Sequence, residues 1–244
     1  MKKTIYTIIA ALMICMGAQA QKTYALLVGL SNYGMQGRGD LDYSAKDAKE
    51  MKMVFANQRN AQATLVTSKY ATPENIKQKL RVISKLAKPQ DNIIFFFSGH
   101  GAPGYVYCYQ AEKLTYDDIS EALSEAKTKN IACFIDACYA GTAFESIINN
   151  SEKPRKPIFM LSCKPEEVSA EVPVVDNSLF SQALLKGMRG MADADGDKKI
   201  TLLELFNYVY RDVTAKAPMS HSKKSQHPML MGPTDLHHMV ITKW

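Results

Sequence analysis

The chain has few of the features that mark several other protein classes. It contains five cysteines and one tryptophan in 244 residues, and the cysteine spacing shows no framework of the kind that staples small secreted domains. Its lysines are scattered, without basic tracts interleaved with aromatic residues, so a nucleic-acid partner is a weak hypothesis despite a net charge of +6. Because internal repeats and low-complexity linkers are also lacking, we predict one folded domain over residues 21–244.

The first twenty residues are predicted to form a secretory signal peptide. Two lysines precede an apolar stretch from about Ile5 to Met16, and Ala18 and Ala20 provide a small-residue cleavage site. The apolar stretch is too short for a membrane-spanning helix, although a membrane anchor is the alternative. We expect cleavage after Ala20 and an exported monomer, periplasmic or extracellular, without membrane attachment.

Strand-like and helix-like segments alternate through the rest of the chain. Short, nearly continuous apolar runs predict buried strands, and apolar residues at helical spacing predict helices. One helix has Thr72 as its N-cap and Pro73 in its first turn. This alternation is typical of an α/β domain with a mostly parallel sheet covered on both faces. Strands are predicted at 23–30, 63–67, 92–98, 130–137 and 157–163, with 237–242 as a candidate last strand, and helices at 43–58, 72–87, 115–126, 178–188 and 201–213.

Two of the predicted strands end in reactive side chains. "DNIIFFFSGHG" leads to His100, and "KNIACFIDACYAG" leads to Cys138. Ligands of open α/β sheets bind beyond the carboxyl ends of the strands, so neighbouring strands would bring the imidazole and the thiol to one crevice. A thiol is mostly protonated at neutral pH and needs a nearby base to act as a nucleophile. The alternatives are a surface histidine and a core thiol.

"SGHG" and "DACYAG" together resemble the motifs of the caspase and metacaspase family of cysteine peptidases, in its bacterial caspase-like branch. Asp136 stands where vertebrate caspases have glutamine, and Tyr139 stands where a histidine is usual. The likeness continues through the first strand, the first helix and the late segment "SLFSQALLKGMRGMADADGDKKITLLELFNYV". It implies a three-layer caspase-like α/β fold, with a mostly parallel central sheet and helices on both faces.

The resemblance also implies catalytic roles. Cys138 would attack the scissile carbonyl, and His100 would act first as general base and then as general acid. The backbone N–H groups of Gly101 and Cys138 would form the oxyanion hole. The family requires no third triad residue, and none is obvious here. No cofactor is expected to be required.

The pocket implied for the residue before the scissile bond is acidic. In metacaspase-like relatives it is lined by positions that correspond here to Ser44, Asp47, Ser98 and Asp136. Two carboxylates in a narrow pocket favour a cation, so we expect peptide or protein substrates with Arg or Lys before the scissile bond. A solvated helix residue is the alternative for Asp47, and a capping role at the turn is the alternative for Asp136.

Such a peptidase has a candidate self-cleavage site. Residues 149–159, "NNSEKPRKPIF", lie where caspases carry the linker between their subunits. Among the basic residues of this segment, Arg155 is the one not followed by proline. Autoprocessing is therefore predicted after Arg155.

Other polar clusters give weaker signals. "DADGDKKITLLE" fits the spacing of a calcium loop, with carboxylates at Asp193, Asp195, Asp197 and Glu204, but a lysine stands where the sharp turn needs glycine. The same segment fits a capping box between Thr201 and Glu204. Calcium is therefore possible but not required. Loop or strand positions, rather than a metal site, are expected for His221, His227, His237 and His238.

We predict an exported caspase-like cysteine endopeptidase with basic specificity. The alternative is a proteolytically silent caspase-fold protein that acts as a binding or regulatory module. A calcium-binding structural protein that uses the Asp193 loop is a third hypothesis.

Overall fold

A computed structural model describes residues 20–37, 39–149, 152–169, 171–172, 177–220 and 224–244. The predicted signal peptide up to residue 19 and His221 lie outside the described residues. The strands are β1 Thr23–Gly29, β2 Ala61–Thr67, β3 Asn92–Ser98, β4 Gly101–Ala102, β5 Tyr105–Tyr107, β6 Lys113–Thr115, β7 Ile131–Asp136, β8 Ile158–Leu161, β9 Glu171–Val172, β10 Asn177–Ser178, β11 Lys199–Thr201, β12 Met229–Met231 and β13 Val240–Lys243. The α-helices are α1 Ser44–Ala56, α2 Pro73–Leu86, α3 Tyr116–Leu123, α4 Ala143–Asn149, α5 Leu179–Lys186 and α6 Leu202–Lys216.

The central sheet has six strands in the order β12-β8-β7-β3-β1-β2. All neighbouring pairs are parallel except β12 with β8, which are antiparallel. The predicted mostly parallel sheet is thus confirmed. The edge strand β12 was not predicted, because three residues "MLM" without a β-branched or aromatic side chain give little strand signal.

Helices cover both faces of this sheet. On one face α2, α3 and α4 enclose a core that includes Leu26 and Val28 of β1. On the other face α1, α5 and α6 enclose a second core that includes Ala25 and Leu27 of the same strand. Because successive side chains of a strand point to opposite faces, a strand covered on both sides must be apolar throughout. This explains the continuous apolar runs of the sequence and confirms the three-layer arrangement.

Caps define the starts of several helices. Thr72 accepts a hydrogen bond from the amide of Asn75 at 3.3 Å, and Pro73 follows it in the first turn of α2. Thr201 and Glu204 form the predicted capping box of α6. Both N-terminal signals in the sequence therefore correspond to observed helix starts.

The candidate strand at 237–242 starts later than predicted. His237 and His238 end a 3-10 turn over Thr234–His238, and β13 begins at Val240. This strand pairs with β11 in a separate two-stranded sheet and does not extend the central one. Among the described residues, no helix is long and apolar enough to cross a bilayer.

Candidate active site

The two reactive side chains follow neighbouring strands at matching positions. Strands β3 and β7 pair in parallel, with Ser98 opposite Asp136. The amide of Gly99 donates to the carbonyl of Asp136 at 3.1 Å, which holds the two turns together. His100 and Cys138 each lie two residues beyond the matched pair. The condition for a shared crevice, adjacent strands, is therefore met.

Gly101 lies directly against the turn that carries Cys138. A Cβ atom at Gly101 would come within 2.5 Å of the Cys138 carbonyl oxygen and within 2.8 Å of the Cβ of Ala137. Glycine is thus required by the close approach of the two turns. The Tyr107 amide donates to the His100 carbonyl at 2.9 Å. Gly101 and Val106 are therefore a non-hydrogen-bonded pair, and the Gly101 amide lies outside this ladder.

The imidazole of His100 is fixed by the loop that follows β1. Its Nε2 lies 2.7 Å from the carbonyl oxygen of Gly39. Because a carbonyl oxygen only accepts, this contact assigns the proton to Nε2 and leaves Nδ1 as the basic nitrogen. The Tyr33 ring lies 5.1 Å from the imidazole, centroid to centroid. The Tyr33 hydroxyl accepts from the His100 amide at 2.7 Å.

The residue after Cys138 has an unusual backbone. Tyr139 is in the left-handed region, with φ of 58°, a conformation that costs energy in residues other than glycine. Its amide donates to the carbonyl of Glu167 at 2.9 Å, and its carbonyl accepts from the Thr142 hydroxyl at 2.7 Å. The same hydroxyl accepts from the amide of Gly104 at 3.0 Å, which ties the β4–β5 turn to the cysteine turn.

Cys138 differs from the other three described cysteines in its surroundings. Burial raises the pKa of the Cys108 and Cys163 thiols to about 12 and also raises the pKa of Cys133, so these thiols stay protonated at neutral pH. Cys138 is half-buried at the end of its strand. No disulfide joins any of the four cysteines in the described chain.

Asp47 is buried, so the alternative of a solvated helix residue is wrong. Its carboxylate accepts from the Ser98 hydroxyl at 2.9 Å and from the side-chain amide of Asn177 at 2.8 Å. Burial, followed by the charge of Asp136, raises the pKa of Asp47 to about 7. Ser44 lies one turn earlier on the same face of α1 and is also buried.

Asp136 is bonded at both carboxylate oxygens. Oδ1 accepts from the Ser169 hydroxyl at 2.6 Å. Oδ2 accepts from the hydroxyl of Ser178 and, at 2.7 and 3.1 Å, from the hydroxyl and amide of Ser181. Burial raises the pKa of this carboxyl as well. Because Ser181 lies in the first turn of α5, Asp136 does help to cap a helix, but one that is distant in sequence.

The comparisons with known proteins agree with this geometry. The sequence-family model of the caspase domain matches residues 22–236 of this chain.

The chain belongs to the caspase domain family.

Two solved structures share its fold. Caspase-1 from Spodoptera frugiperda matches with a TM-score of 0.64 and 16% identity, over 86% of this chain and 86% of the caspase. A structural genomics target from Geobacter sulfurreducens matches with a TM-score of 0.67 and 16% identity, over 91% of this chain and 99% of that protein. The predicted caspase-like fold is therefore confirmed.

Two curated relatives match shorter parts of the chain. The vacuolar-processing enzyme delta-isozyme of Arabidopsis thaliana is 28% identical over 67 residues, which are 26% of this chain and 14% of the relative. The GPI-anchor transamidase of Schizosaccharomyces pombe is 24% identical over 146 residues, which are 55% of this chain and 36% of the relative. The chain thus spans well under half the length of either. Membership of the caspase domain family supports a function of the cysteine peptidase kind.

The candidate autoprocessing residue of this caspase domain is far from Cys138. Arg155 donates to the carbonyls of Ala126 and Pro154, each at 2.9 Å, and to that of Lys127 at 3.4 Å. It precedes β8, whose first residue pairs with the start of β7, whereas Cys138 follows the end of β7. The length of a strand therefore separates the two residues.

The aspartate loop has its own hydrogen bonds. Carboxylate oxygens of Asp193, Asp195 and Asp197 lie within 4.8 Å of one another, but each also accepts from amides of the loop. Glu204 is bonded to Thr201 in the capping box, and its other oxygen accepts from the Ala194 amide at 3.2 Å. The capping interpretation is confirmed, and calcium binding stays a prediction.

Several residues around the site were not predicted. Ser178 and Ser181 lie in the late segment "SLFSQALLKGM" that is part of the family resemblance, but the sequence did not indicate that they bond Asp136. Gly39 carried no signal, because it acts through its backbone. The pairing of Glu167 with His227 also carried none, because the two residues are far apart in the chain.

Proposed function

We propose that this caspase-domain protein is a cysteine endopeptidase that cleaves peptide bonds after Arg or Lys, with Cys138 as nucleophile and His100 as base. The proposal rests chiefly on the contact of Gly101 with the Cys138 turn. This contact brings the ends of β3 and β7 together beside two buried carboxylates. We propose also that the protein is exported after removal of residues 1–20, acts as a monomer and requires no cofactor.

The reaction follows from the orientation of the imidazole. Nδ1 of His100 takes the proton of Cys138, and the Sγ atom attacks the scissile carbonyl carbon. The amides of Gly101 and Cys138 stabilise the oxyanion. The tetrahedral intermediate collapses, the C–N bond breaks, and His100 gives its proton to the leaving amine. Water, deprotonated by His100, then attacks the thioester; the acid product leaves and the thiol is restored.

The specificity follows from the buried acidic pair. Asp47 and Asp136 are less than 5% exposed. Burial raises the pKa of both carboxyls, and the charge of Asp136 raises that of Asp47 further because like charges repel. A guanidinium or ammonium group between them would relieve this repulsion, whereas a substrate carboxylate would increase it. Basic residues before the scissile bond are therefore favoured over acidic ones.

The first test is an assay of residues 21–244 with fluorogenic peptides that end in Arg, Lys or Asp, with and without calcium. We expect cleavage after Arg and Lys that is lost in Cys138→Ala and in His100→Ala but kept in Cys108→Ala, a matched change at a buried thiol. Cleavage after Asp alone would refute the basic specificity. Activity that survives Cys138→Ala would refute the proposed nucleophile.

A second candidate function is a caspase-fold module that binds basic peptides without cleaving them. It is favoured by the observation that both carboxylates are already bonded to serine and asparagine side chains. Binding of an Arg peptide by the unmodified protein, with no cleavage even at high protein concentration, would favour this function over the peptidase.

A further inference from the structure

We propose that Glu167 and His227 form a positioning pair that holds the turn after Cys138 and thereby sets the reactivity of its thiol. Neither residue belongs to the catalytic or pocket groups described above. The inference rests on the proposed function for its kinetic consequences, but its chemical consequence can be measured without peptidase activity.

The pair is joined by two hydrogen bonds. Nδ1 of His227 lies 2.5 Å from Oε1 of Glu167, and the His227 amide donates to Oε2 at 2.7 Å. The amide of Lys164 also donates to Oε2, at 3.2 Å. The Glu167 side chain is 14% exposed, so it has little access to water that could replace these donors. Such a carboxylate fixes the backbone that carries it.

That backbone lies against the cysteine turn. The Glu167 carbonyl accepts from the amide of Tyr139 at 2.9 Å. A Cβ atom at Gly141 would come within 2.5 Å of the Pro165 nitrogen. The 164–167 turn therefore contacts the cysteine turn at two residues, Tyr139 and Gly141. Because Tyr139 has a left-handed backbone, it keeps this conformation only while its surroundings impose it.

The neighbouring residue, Gln226, also supports the site. Its side-chain amide donates to the carbonyl of Ser162 at 2.9 Å and to the Ser169 hydroxyl at 3.3 Å. Ser169 in turn donates to Asp136. Two consecutive residues thus brace the site in different ways. His227 acts on the turn after Cys138. Gln226 acts on the acidic pocket through Ser169 and, through Ser162, on Ala137, because the Ser162 hydroxyl accepts from the Ala137 amide at 3.2 Å and donates to its carbonyl at 3.0 Å.

This division predicts different kinetic effects for adjacent substitutions. His227→Ala should lower kcat about tenfold with KM changed less than about twofold, because small displacements of a reacting atom cost rate. His227→Asn, which can keep a donor near the position of Nδ1, should recover most of the loss. Gln226→Ala should raise KM for Arg substrates, because it loses the bond to Ser169, which donates to Asp136. Equal effects of His227→Ala and Gln226→Ala on both constants would overturn the division.

The decisive measurement is the rate of Cys138 alkylation by iodoacetamide at neutral pH, followed by mass spectrometry. The buried thiols of Cys108 and Cys133 serve as internal references for folding. Cys163 does not, because its Sγ atom donates to the Glu167 carbonyl at 3.3 Å. We expect His227→Ala and Glu167→Gln to slow the reaction at Cys138 severalfold and His227→Asn to slow it less. Asp235→Asn, a change at an exposed carboxylate, should leave it unchanged. An unchanged rate in both His227→Ala and Glu167→Gln would overturn the proposal.

Failure of the proposed function would look different. If the unmodified protein cleaves no peptide, the peptidase proposal fails, while the alkylation rates still decide whether the pair positions Cys138. If His227→Ala exposes the reference thiols, the variant is misfolded. The rate of Cys138 alkylation in Glu167→Gln, compared with that in the unmodified protein, then tests the proposal.

Discussion

At the scale of single residues, the buried carboxyl of Asp47 makes stability depend on pH, and in the proposed pocket it would make substrate recognition depend on pH as well. Its carboxyl is buried beside a second carboxyl, and its pKa is raised to about 7 from an ordinary value near 4. The sequence predicted the acidic residues of the pocket through the family resemblance. It could not predict their donors, because Asn177 is 130 residues from Asp47 in the chain.

The first prediction concerns stability. In the unfolded chain Asp47 loses its proton near pH 4, whereas in the folded protein it keeps the proton up to about pH 7. Its contribution to the free energy of unfolding is therefore fully present below pH 4 and is lost as the pH rises to about 7. Asp47→Asn should remove this pH dependence. In urea unfolding, the stability of the variant relative to the unmodified protein should therefore increase between pH 5 and pH 8.

Asp235→Asn provides the control, since Asp235 is an exposed carboxylate of the described chain. It should leave the pH dependence of unfolding as it is. Parallel curves for Asp47→Asn and the unmodified protein would contradict the coupling.

The second prediction concerns recognition. A bound cation selects the ionised form of Asp47, so affinity for an Arg substrate should increase as the pH rises through about 7. The uncharged analogue citrulline should show no such increase. The ratio of kcat/KM for Arg and citrulline peptides isolates this effect, because the two peptides share every group except the charged one. A ratio that is constant from pH 5.5 to 8.5 would count against an acidic pocket.

At the scale of elements, capping residues predicted the starts of helices, and continuous apolar runs predicted the buried strands. Helix α2 begins where its Thr-Pro signal places it, and α6 begins at its capping box. The three-stranded antiparallel sheet β4-β5-β6 and helix α4 were not predicted. Strands of two or three residues and a helix of seven are too short to show a hydrophobic period.

The third prediction separates a cap from a calcium ligand. Glu204→Ala should lower the free energy of unfolding by about 1 kcal/mol, both with calcium and with a chelator, because the lost bonds belong to the capping box. Glu204→Gln should cost less, since glutamine also serves at this position. Thermal melts that respond to calcium in the unmodified protein but not in Glu204→Ala would instead support the calcium site.

At the scale of the whole molecule, the sheet separates the candidate autoprocessing site from the nucleophile. Arg155 lies at the amino end of β8, and Cys138 lies beyond the carboxyl end of the parallel strand β7. A strand of six residues spans about 17–20 Å. In this fold Arg155 and Cys138 of one molecule lie too far apart to react with each other, so we predict that processing after Arg155 occurs between molecules.

The fourth prediction is that processing at Arg155 depends on protein concentration. Its initial rate should rise with the square of the concentration, and unmodified protein should cleave the Cys138→Ala chain when the two are mixed. Arg155→Ala should stay intact in the same mixture. Electrophoresis of timed samples measures all three, and a first-order rate that is independent of concentration would refute intermolecular cleavage.

Some long-range features of the molecule could be predicted from the sequence, and others could not. The mostly parallel sheet follows from the alternation of apolar runs and helices, and the motifs at two strand ends indicated the edge of the sheet where Gly101 lies against the Cys138 turn. The bracing of the site by Glu167 and His227, 60 residues apart, depends on how loops pack. Loop packing produces no periodic pattern in a single sequence, so it could not be predicted from this one.

The donors around the acidic pair have one further consequence. Four of them are serine hydroxyls, from Ser98, Ser169, Ser178 and Ser181. A hydroxyl both donates and accepts, and it exchanges these roles by rotation about a single bond. The lining of the proposed pocket can therefore reverse its polarity without backbone movement. Its hydroxyls donate to the carboxylates when no substrate is bound, and they would accept hydrogen bonds from a cationic side chain that enters.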